Sequence, residues 1–387
     1  MLNIAILGYG LIGSGVADIL TGNRELIAKK TGEAVNIKYI LDIKKIDMPP
    51  LNAVQTDKID TITSDKTIKL AVEAMGGSHP AYEFTKACLM SGISVVTSNK
   101  EVVANFGAEL LATAKKNGVK YFFEASVGGG IPLIRPIANG LAANNISAIT
   151  AILNGTTNFI LTKMERENMS FSDALTAAQA NGYAERDPSA DINGTDTCRK
   201  ICILCSLAFG RELPPAKVHT EGIAGVTLAD IRNAQEAGHR VKLIAKANLT
   251  EENGGGLRVI VAPMLVPEDS PLYSVSDVFN GIVVTGDSTG DVMFYGRGAG
   301  KLPTASAAAA DIIDILTNQS DNIIWEPSDG AYVTSHHIGS ARYYLRLANA
   351  NGEKYVITDS ISERELDTLK KSYESEGNSV KSEIRLL

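Results

Sequence analysis

The sequence predicts an α/β protein: an N-terminal doubly wound domain on a parallel sheet, then an α+β body, then a short α+β C-terminal segment. Three observations carry that reading. Apolar strand-like runs alternate with helical patterns from Leu2 to Glu124, and a glycine-rich turn follows the first run at once. After Glu124 the alternation stops, and long helices mix with short strands.

Taken in order, residues 4–7 read as a buried strand and 13–20 as the helix behind it. Strands are predicted at 35–41, 69–74, 94–97 and 121–124, with helices at 80–90 and 100–116 between them. Nearly uninterrupted apolar strands separated by helices fit a parallel sheet covered on both faces. Beyond the glycine-rich stretch 126–132, strands are predicted at 146–153, 257–263, 281–285 and 291–295. Helices are predicted at 170–181, 194–209 and 228–237, and an alanine-rich one runs on to Leu316. Near the C-terminus, 342–347 is the clearest strand, followed by a helix over 363–373 and a strand over 380–386. The domains expected are 1–130, with helix 302–318 returning to it, then 131–301, then 320–387.

Composition narrows the function classes. The 387 residues carry 37 basic and 44 acidic side chains, a net charge of −7, which argues against nucleic-acid or anionic-membrane binding. No apolar run reaches the roughly 18 residues of a membrane span. The chain opens on a strand pattern without a charged leader, so a cytoplasmic enzyme acting on a small-molecule substrate is expected. Four cysteines make no disulfide framework. Cys198, Cys202 and Cys205 share one face of an apolar helix and read as core residues rather than metal ligands.

Gly8-Tyr9-Gly10-Leu11-Ile12-Gly13 follows a strand and opens a helix. The first glycine permits the tight turn, the second lets backbone approach a pyrophosphate, and the third lets helix and strand pack closely. This marks the first domain as a Rossmann dinucleotide-binding domain. Asp42 ends the second strand, where a carboxylate can accept hydrogen bonds from an adenosine ribose. Lys44 and Lys45 follow and could neutralise a 2′-phosphate, or form a solvated basic turn.

Acids crowd the segment from Gly182 to Lys200. Asp196 and Lys200 stand four apart on a helix and within ion-pair reach. A lysine entering an apolar helix is a candidate proton carrier; a surface ion pair is the plainer alternative.

The segment Gly182-Tyr-Ala-x-x-Asp187-Pro-x-x-Asp191-Ile-x-Gly194-x-Asp196-x-x-x-Lys200 resembles the signature of homoserine dehydrogenases. Thr97-Ser98-Asn99-Lys100, Glu124-Ala-Ser-Val-Gly-Gly-Gly-Ile-Pro132, Leu153-Asn-Gly-Thr-Thr-Asn158 and Gly298-Ala-Gly-Lys-Leu-Pro-Thr-Ala-Ser306 add matches in the family's order. The resemblance implies NAD(P)-linked interconversion of L-homoserine and L-aspartate 4-semialdehyde, on the route to threonine, methionine and isoleucine. It implies Lys200 as acid/base, Lys100 near nicotinamide and substrate, and Glu185, Asp191 and Asp196 as residues that hold the substrate ammonium or orient the lysine. Further cofactor contacts are implied at Gly76, Thr97, Ser98 and Gly300. It also implies a structural sodium ion at Glu124, Val127, Gly129 and Ile131, and a homodimer through the second domain.

Three departures from the family pattern bear on function. An arginine that grips the NADP phosphate is replaced by Leu41, so dual use of NAD and NADP is expected, with Lys44 or Lys45 compensating. His79 stands where the family has glutamate and reads as a polar loop residue. The C-terminal region resembles an incomplete ACT-type module, because Ala348-Asn-Ala-Asn-Gly-Glu353 replaces the turn into its first helix. Two rival readings are a semialdehyde dehydrogenase working through a cysteine thioester, and a non-catalytic dinucleotide sensor. The first lacks a well-placed cysteine, and the second would lack Lys200 or Asp196.

Overall fold

Six parallel strands build the first sheet, in the spatial order Val54–Thr56, Val35–Leu41, Leu2–Leu7, Ile68–Glu73, Ser94–Thr97, Tyr121–Phe122. The structure is a computed structural model and describes residues 1–47, 52–250, 256–336 and 339–387. The chain starts at the centre of this sheet, works to one edge, then crosses back beside its first strand. Strand order therefore reverses between Leu2–Leu7 and Ile68–Glu73, and open parallel sheets bind ligands at the C-terminal ends of such a pair. Ile4, Ile6, Leu70 and Val72 are fully buried, as strands covered on both faces must be.

Two compact units divide the chain: Met1–Ala143, Cys202–Pro215 and Gly296–Asp329 in the first, and Asn144–Ile201, Ala216–Tyr295 and Gly330–Leu387 in the second. The helix Lys301–Thr317 belongs to the first unit and packs on helix Leu11–Gly22. A Cβ built on Gly15 would stand 3.1 Å from the Ala305 methyl, so the two helices meet through small residues. This partition differs from the sequence-based boundaries: 131–143, 202–215, 296–301 and 320–329 lie with the first unit, and 330–387 with the second. Residues 131–143 stay with the first unit because the Glu124 carboxylate binds the N–H groups of Leu133, Ile134 and Arg135. The stretch Cys202–Pro215 joins it through backbone bonds between Glu326 and both Gly210 and Glu212.

The second unit is built on a ten-stranded sheet. Its main path runs Gly290–Arg297, Phe279–Gly286, Ile146–Ile152, His239–Thr250, Gly256–Pro267, Ser379–Leu386, Tyr343–Asn349, Gly352–Ile357. The C-terminal segment thus extends this sheet: Met264 pairs with Arg385 and Leu265 with Leu386. Where an ACT-type module would enter its first helix, the chain makes a hairpin, with Asn349 facing Gly352 and the Asn351 N–H bonded to Asn349 Oδ1 at 2.8 Å.

A buried ion pair ties that segment to the body. Arg346 Nε donates to Asp230 Oδ1 at 2.8 Å, and the Tyr344 hydroxyl donates to the same oxygen at 3.1 Å. Thr227 donates to the other oxygen through N–H and hydroxyl, so Asp230 also caps helix Leu228–Glu236. Burial pushes the Asp230 carboxyl up, but hydrogen bonds from Thr227 and Arg346 outweigh it and hold the group below its ordinary value. The depressed value stabilises the fold above the unfolded carboxyl range, and that contribution is lost as pH falls through the folded value. Arg346→Leu strands the Asp230 charge and should cost about 3–5 kcal/mol in urea unfolding at neutral pH. A loss below about 1 kcal/mol would show that the pair does not anchor the segment.

Candidate active site

The chemical end lies on one helix and the strand–helix junction beside it. Helix Thr195–Phe209 begins after Gly194, whose φ of +81° and close neighbours (Thr220 and the Glu221 carbonyl within 3.1 Å of a built Cβ) demand glycine. One turn in, Asp196 and Lys200 are both buried, and Lys200 Nζ lies 2.7 Å from Asp196 Oδ2. The ammonium also donates to the Leu153 carbonyl at 2.9 Å. Lysine has three N–H donors, so one remains for a bound oxygen.

Asn154, a residue to which sequence reasoning gave no role, holds the acids. Its Nδ2 group donates to Asp191 Oδ1 at 2.7 Å and to Asp196 Oδ2 at 2.8 Å. Its Oδ1 accepts from the Thr157 N–H at 2.8 Å and caps helix Gly155–Glu167. The signal was present: an asparagine between an apolar strand and a Gly-Thr-Thr helix start is a cap in waiting. Glu185 is not part of this network. It is exposed, and its carboxylate makes no hydrogen bond or ion pair among the described residues.

In the first unit, helix Leu11–Gly22 starts at Gly10 with no side-chain cap and no acid in its first turn, leaving its N-terminal N–H groups to a ligand. A Cβ at Gly13 would lie 2.0 Å from the Gly8 carbonyl oxygen, whereas one at Gly10 would meet nothing within 4 Å. Room at Gly10 and none at Gly13 is what a pyrophosphate loop requires, so the residues fit a dinucleotide. Asp42 stitches the loop, accepting from the Tyr9 N–H and the Lys44 N–H, both at 2.8 Å. The Lys44 and Lys45 side chains are exposed, as are Gly76 and the side chain of Ile43. Gly300 caps helix Lys301–Thr317 with a φ of +125°.

The Thr97-Ser98-Asn99-Lys100 turn is organised by Glu73, another residue unassigned from sequence. Its fully buried carboxylate accepts from the Thr97 hydroxyl at 2.5 Å and the Met75 N–H at 2.7 Å. Its carbonyl accepts from the Ser98 N–H. Asn99 then caps helix Lys100–Lys116, which opens with a half-buried Lys100. Lys100 belongs to the first unit and Lys200 to the second. His79 pairs with Glu83 at 2.6 Å as an exposed loop residue.

At the implied cation site both Glu124 side-chain oxygens are engaged by three backbone N–H groups, at 2.6, 2.8 and 3.0 Å. The Val127, Gly129 and Ile131 carbonyls are in a buried stretch and accept no hydrogen bond among the described residues. Unsatisfied carbonyl oxygens suit a hard monovalent cation. Glu124 can join them through its main chain, its side chain being committed elsewhere. No group of three His, Cys, Asp or Glu residues that could hold a metal occurs among the described residues. The cysteine-thioester alternative fails on burial: all four cysteines are buried, and desolvation pushes the Cys88 thiol up to about 12. No helix among the described residues is long and apolar enough to cross a membrane.

Burial pushes the Glu73 carboxyl up to about 7 against the hydrogen bonds from Thr97 and Met75. With its folded value raised, stability is full below the unfolded carboxyl range and declines as pH rises toward about 7. Glu73→Gln removes the charge, keeps the Met75 bond through its amide oxygen and turns the Thr97 contact round so that the amide N–H donates to the hydroxyl. Its melting temperature should therefore change less than the wild type's across that window. Parallel pH curves for the two proteins would contradict this.

Residues 8–124 match the family model described as the NAD binding domain of homoserine dehydrogenase, and residues 132–313 the model for homoserine dehydrogenase itself. The homoserine dehydrogenase of Synechocystis sp. is 42% identical over 333 residues, 84% of this chain and 76% of that protein. That of Pseudomonas aeruginosa is 37% identical over 357 residues, 89% of this chain and 81% of that protein. A solved homoserine dehydrogenase from Thiobacillus denitrificans superposes with a TM-score of 0.91 at 31% identity, covering 100% of this chain and 98% of that one. A hyperthermophilic archaeal homoserine dehydrogenase mutant solved with NADPH gives 0.68 at 31% identity, covering 82% of this chain and 98% of that one. This chain belongs to the homoserine dehydrogenase family, a family of NAD(P)-dependent oxidoreductases.

Proposed function

We propose that this chain interconverts L-homoserine and L-aspartate 4-semialdehyde, with Lys200 as the group that moves the proton. The observation that carries the reading is a buried lysine with two of its three N–H groups spent, on Leu153 and Asp196. NAD(P), when bound, takes or gives the hydride. In the reductive direction the free N–H of Lys200 meets the carbonyl oxygen, stabilises the charge that develops there and delivers the proton. Asp196, fixed by Asn154, orients the ammonium. Asp191, held by the same amide, offers its carboxylate to the substrate ammonium, and exposed Glu185 supplies a second acceptor from the solvent side. Lys100, at the start of its helix, adds positive field near the nicotinamide.

Lys200→Met should lower turnover by about 10²- to 10⁴-fold with a much smaller change in KM. The variant also strands the Asp196 charge, so it should melt lower than the wild type. Lys200→Met/Asp196→Asn removes both charges and should recover stability without recovering turnover. Recovery of both would make Lys200 a structural residue.

Two ligand readings go with this function. Leu41 and Asp42 favour NAD, since a carboxylate accepts from ribose hydroxyls and repels a phosphate, while exposed Lys44 and Lys45 keep NADP usable. Lys44→Ala should raise KM for NADP and leave KM for NAD nearly unchanged, read from homoserine oxidation with each coenzyme. Equal effects on both would remove Lys44 from the 2′-phosphate site. The carbonyls of Val127, Gly129 and Ile131 favour a structural sodium ion, and the family pattern favours a cytoplasmic homodimer formed through the second unit.

A further inference from the structure

One face of the second unit's sheet carries a charge cluster that the dehydrogenase chemistry does not use. The antiparallel register sets Lys246 opposite Ile260 and Asn248 opposite Arg258, so all four side chains lie on one side. Pairing of Met264 with Arg385, and of Ile260 with His219, adds Arg385 and His219 to that side. A cleft open to solvent lies there, lined by Lys246, Asn248, Arg258 and Arg385 together with His336 and Tyr343.

The charges around the cleft are lopsided. Lys246, Arg258 and Arg385 line it, and no side-chain carboxylate does among the described residues. Arg385 is already engaged, by Glu363, by Glu221 at 3.8 Å and by the Tyr343 ring at 5.6 Å. His219 is bonded to Glu221 at 2.6 Å and stacks on His336 with ring centres 3.7 Å apart. The Lys246 ammonium makes no hydrogen bond or ion pair among the described residues. Burial, and then the charge of Arg258, hold it below its ordinary value. A partly dehydrated ammonium beside a guanidinium is relieved by a bound anion. Ile260, Met264, Tyr343 and Leu386 give the same cleft an apolar wall.

We propose that this cleft binds a small organic anion, its phosphate or carboxylate head paired with Lys246 and Arg258 and its apolar body against Met264 and Tyr343. The site is independent of the dehydrogenase reading. Calorimetric titration of the full chain, with saturating NAD present to fill the dinucleotide loop, tests it with phenyl phosphate, benzoate and inorganic phosphate. Phenyl phosphate or benzoate should bind saturably, and the stronger of the two identifies the head group. Lys246→Gln should weaken that binding by about tenfold or more, and Lys246→Arg should retain it. Inorganic phosphate binding as tightly as phenyl phosphate would overturn the organic part of the assignment. No saturable binding of any probe, or binding unaffected by Lys246→Gln, would overturn the site. Without added anion, Lys246→Gln removes a charge repelled by Arg258 and should melt no lower than the wild type. A lower melting temperature would mean that Lys246 already has a structural partner, and would overturn the proposal as well.

Discussion

The geometry of the second unit's acids depends on one amide. Asn154 gives its two N–H bonds to Asp191 and Asp196 and its oxygen to the helix behind it. Few side chains could do this. Aspartate has no donor, serine has only one, and glutamine sets the same group a methylene further out. Carboxylates brought together out of water repel one another unless donors separate them. Asn154 supplies donors without adding charge, and Lys200 supplies a cation. Because Asp196 Oδ2 receives both the amide and the ammonium, the lysine's position is inherited from a strand–helix junction more than forty residues earlier in the chain.

The first unit uses its buried carboxylates in the opposite sense. Glu73 and Glu124 spend their oxygens largely on backbone N–H groups and hydroxyls, and so shape loops rather than meet ligands. Both stand at or just beyond the C-terminal ends of parallel strands, where the chain must turn without a regular hydrogen-bonding partner. A carboxylate there satisfies several orphan donors at once. The cost is desolvation, visible in the raised value of Glu73 and again in Asp311, which burial pushes up to about 8 beside Arg135. The return is a Thr97–Lys100 turn of defined shape, which sets where Lys100 begins its helix.

The Rossmann strands, the glycine loop and the Asp196–Lys200 helix were legible in the sequence because local pattern and final environment agree there. Buried parallel strands are apolar throughout, and a helix with its acid and base four apart needs no tertiary information. The strand His239–Thr250 was not read at all, although it is twelve residues long and central to its sheet. Lys242 and Lys246 break its apolar run, and only the fold shows where those charges go. Glu73 escaped for the same reason: a single glutamate at a strand end looks like a solvent-facing terminus until the sheet buries it. Glu185 went the other way. Its motif position suggested a member of the acid cluster, yet it lies exposed outside the network that Asn154 builds.

The two lysines of that unread strand show how a sheet can carry charge in its interior. They stand four apart and therefore on the same face. Lys242 is fully buried, donates to Asn158 Oδ1 at 3.1 Å and to the Val275 carbonyl at 2.7 Å, and is pushed down by burial to about 8. Its donors are met by neutral oxygens, so a proton can leave without stranding a carboxylate. Lys246, four pairs along, faces a cleft and a guanidinium instead. A lysine kept for packing alone could be replaced by its apolar stem, because the desolvated charge gains nothing from water it has lost. Lys242 has an internal reason for its ammonium in the carbonyl and amide it joins. For Lys246 the proposed reason lies in what enters the cleft, since among the described residues the lining offers a second cation and no side-chain anion.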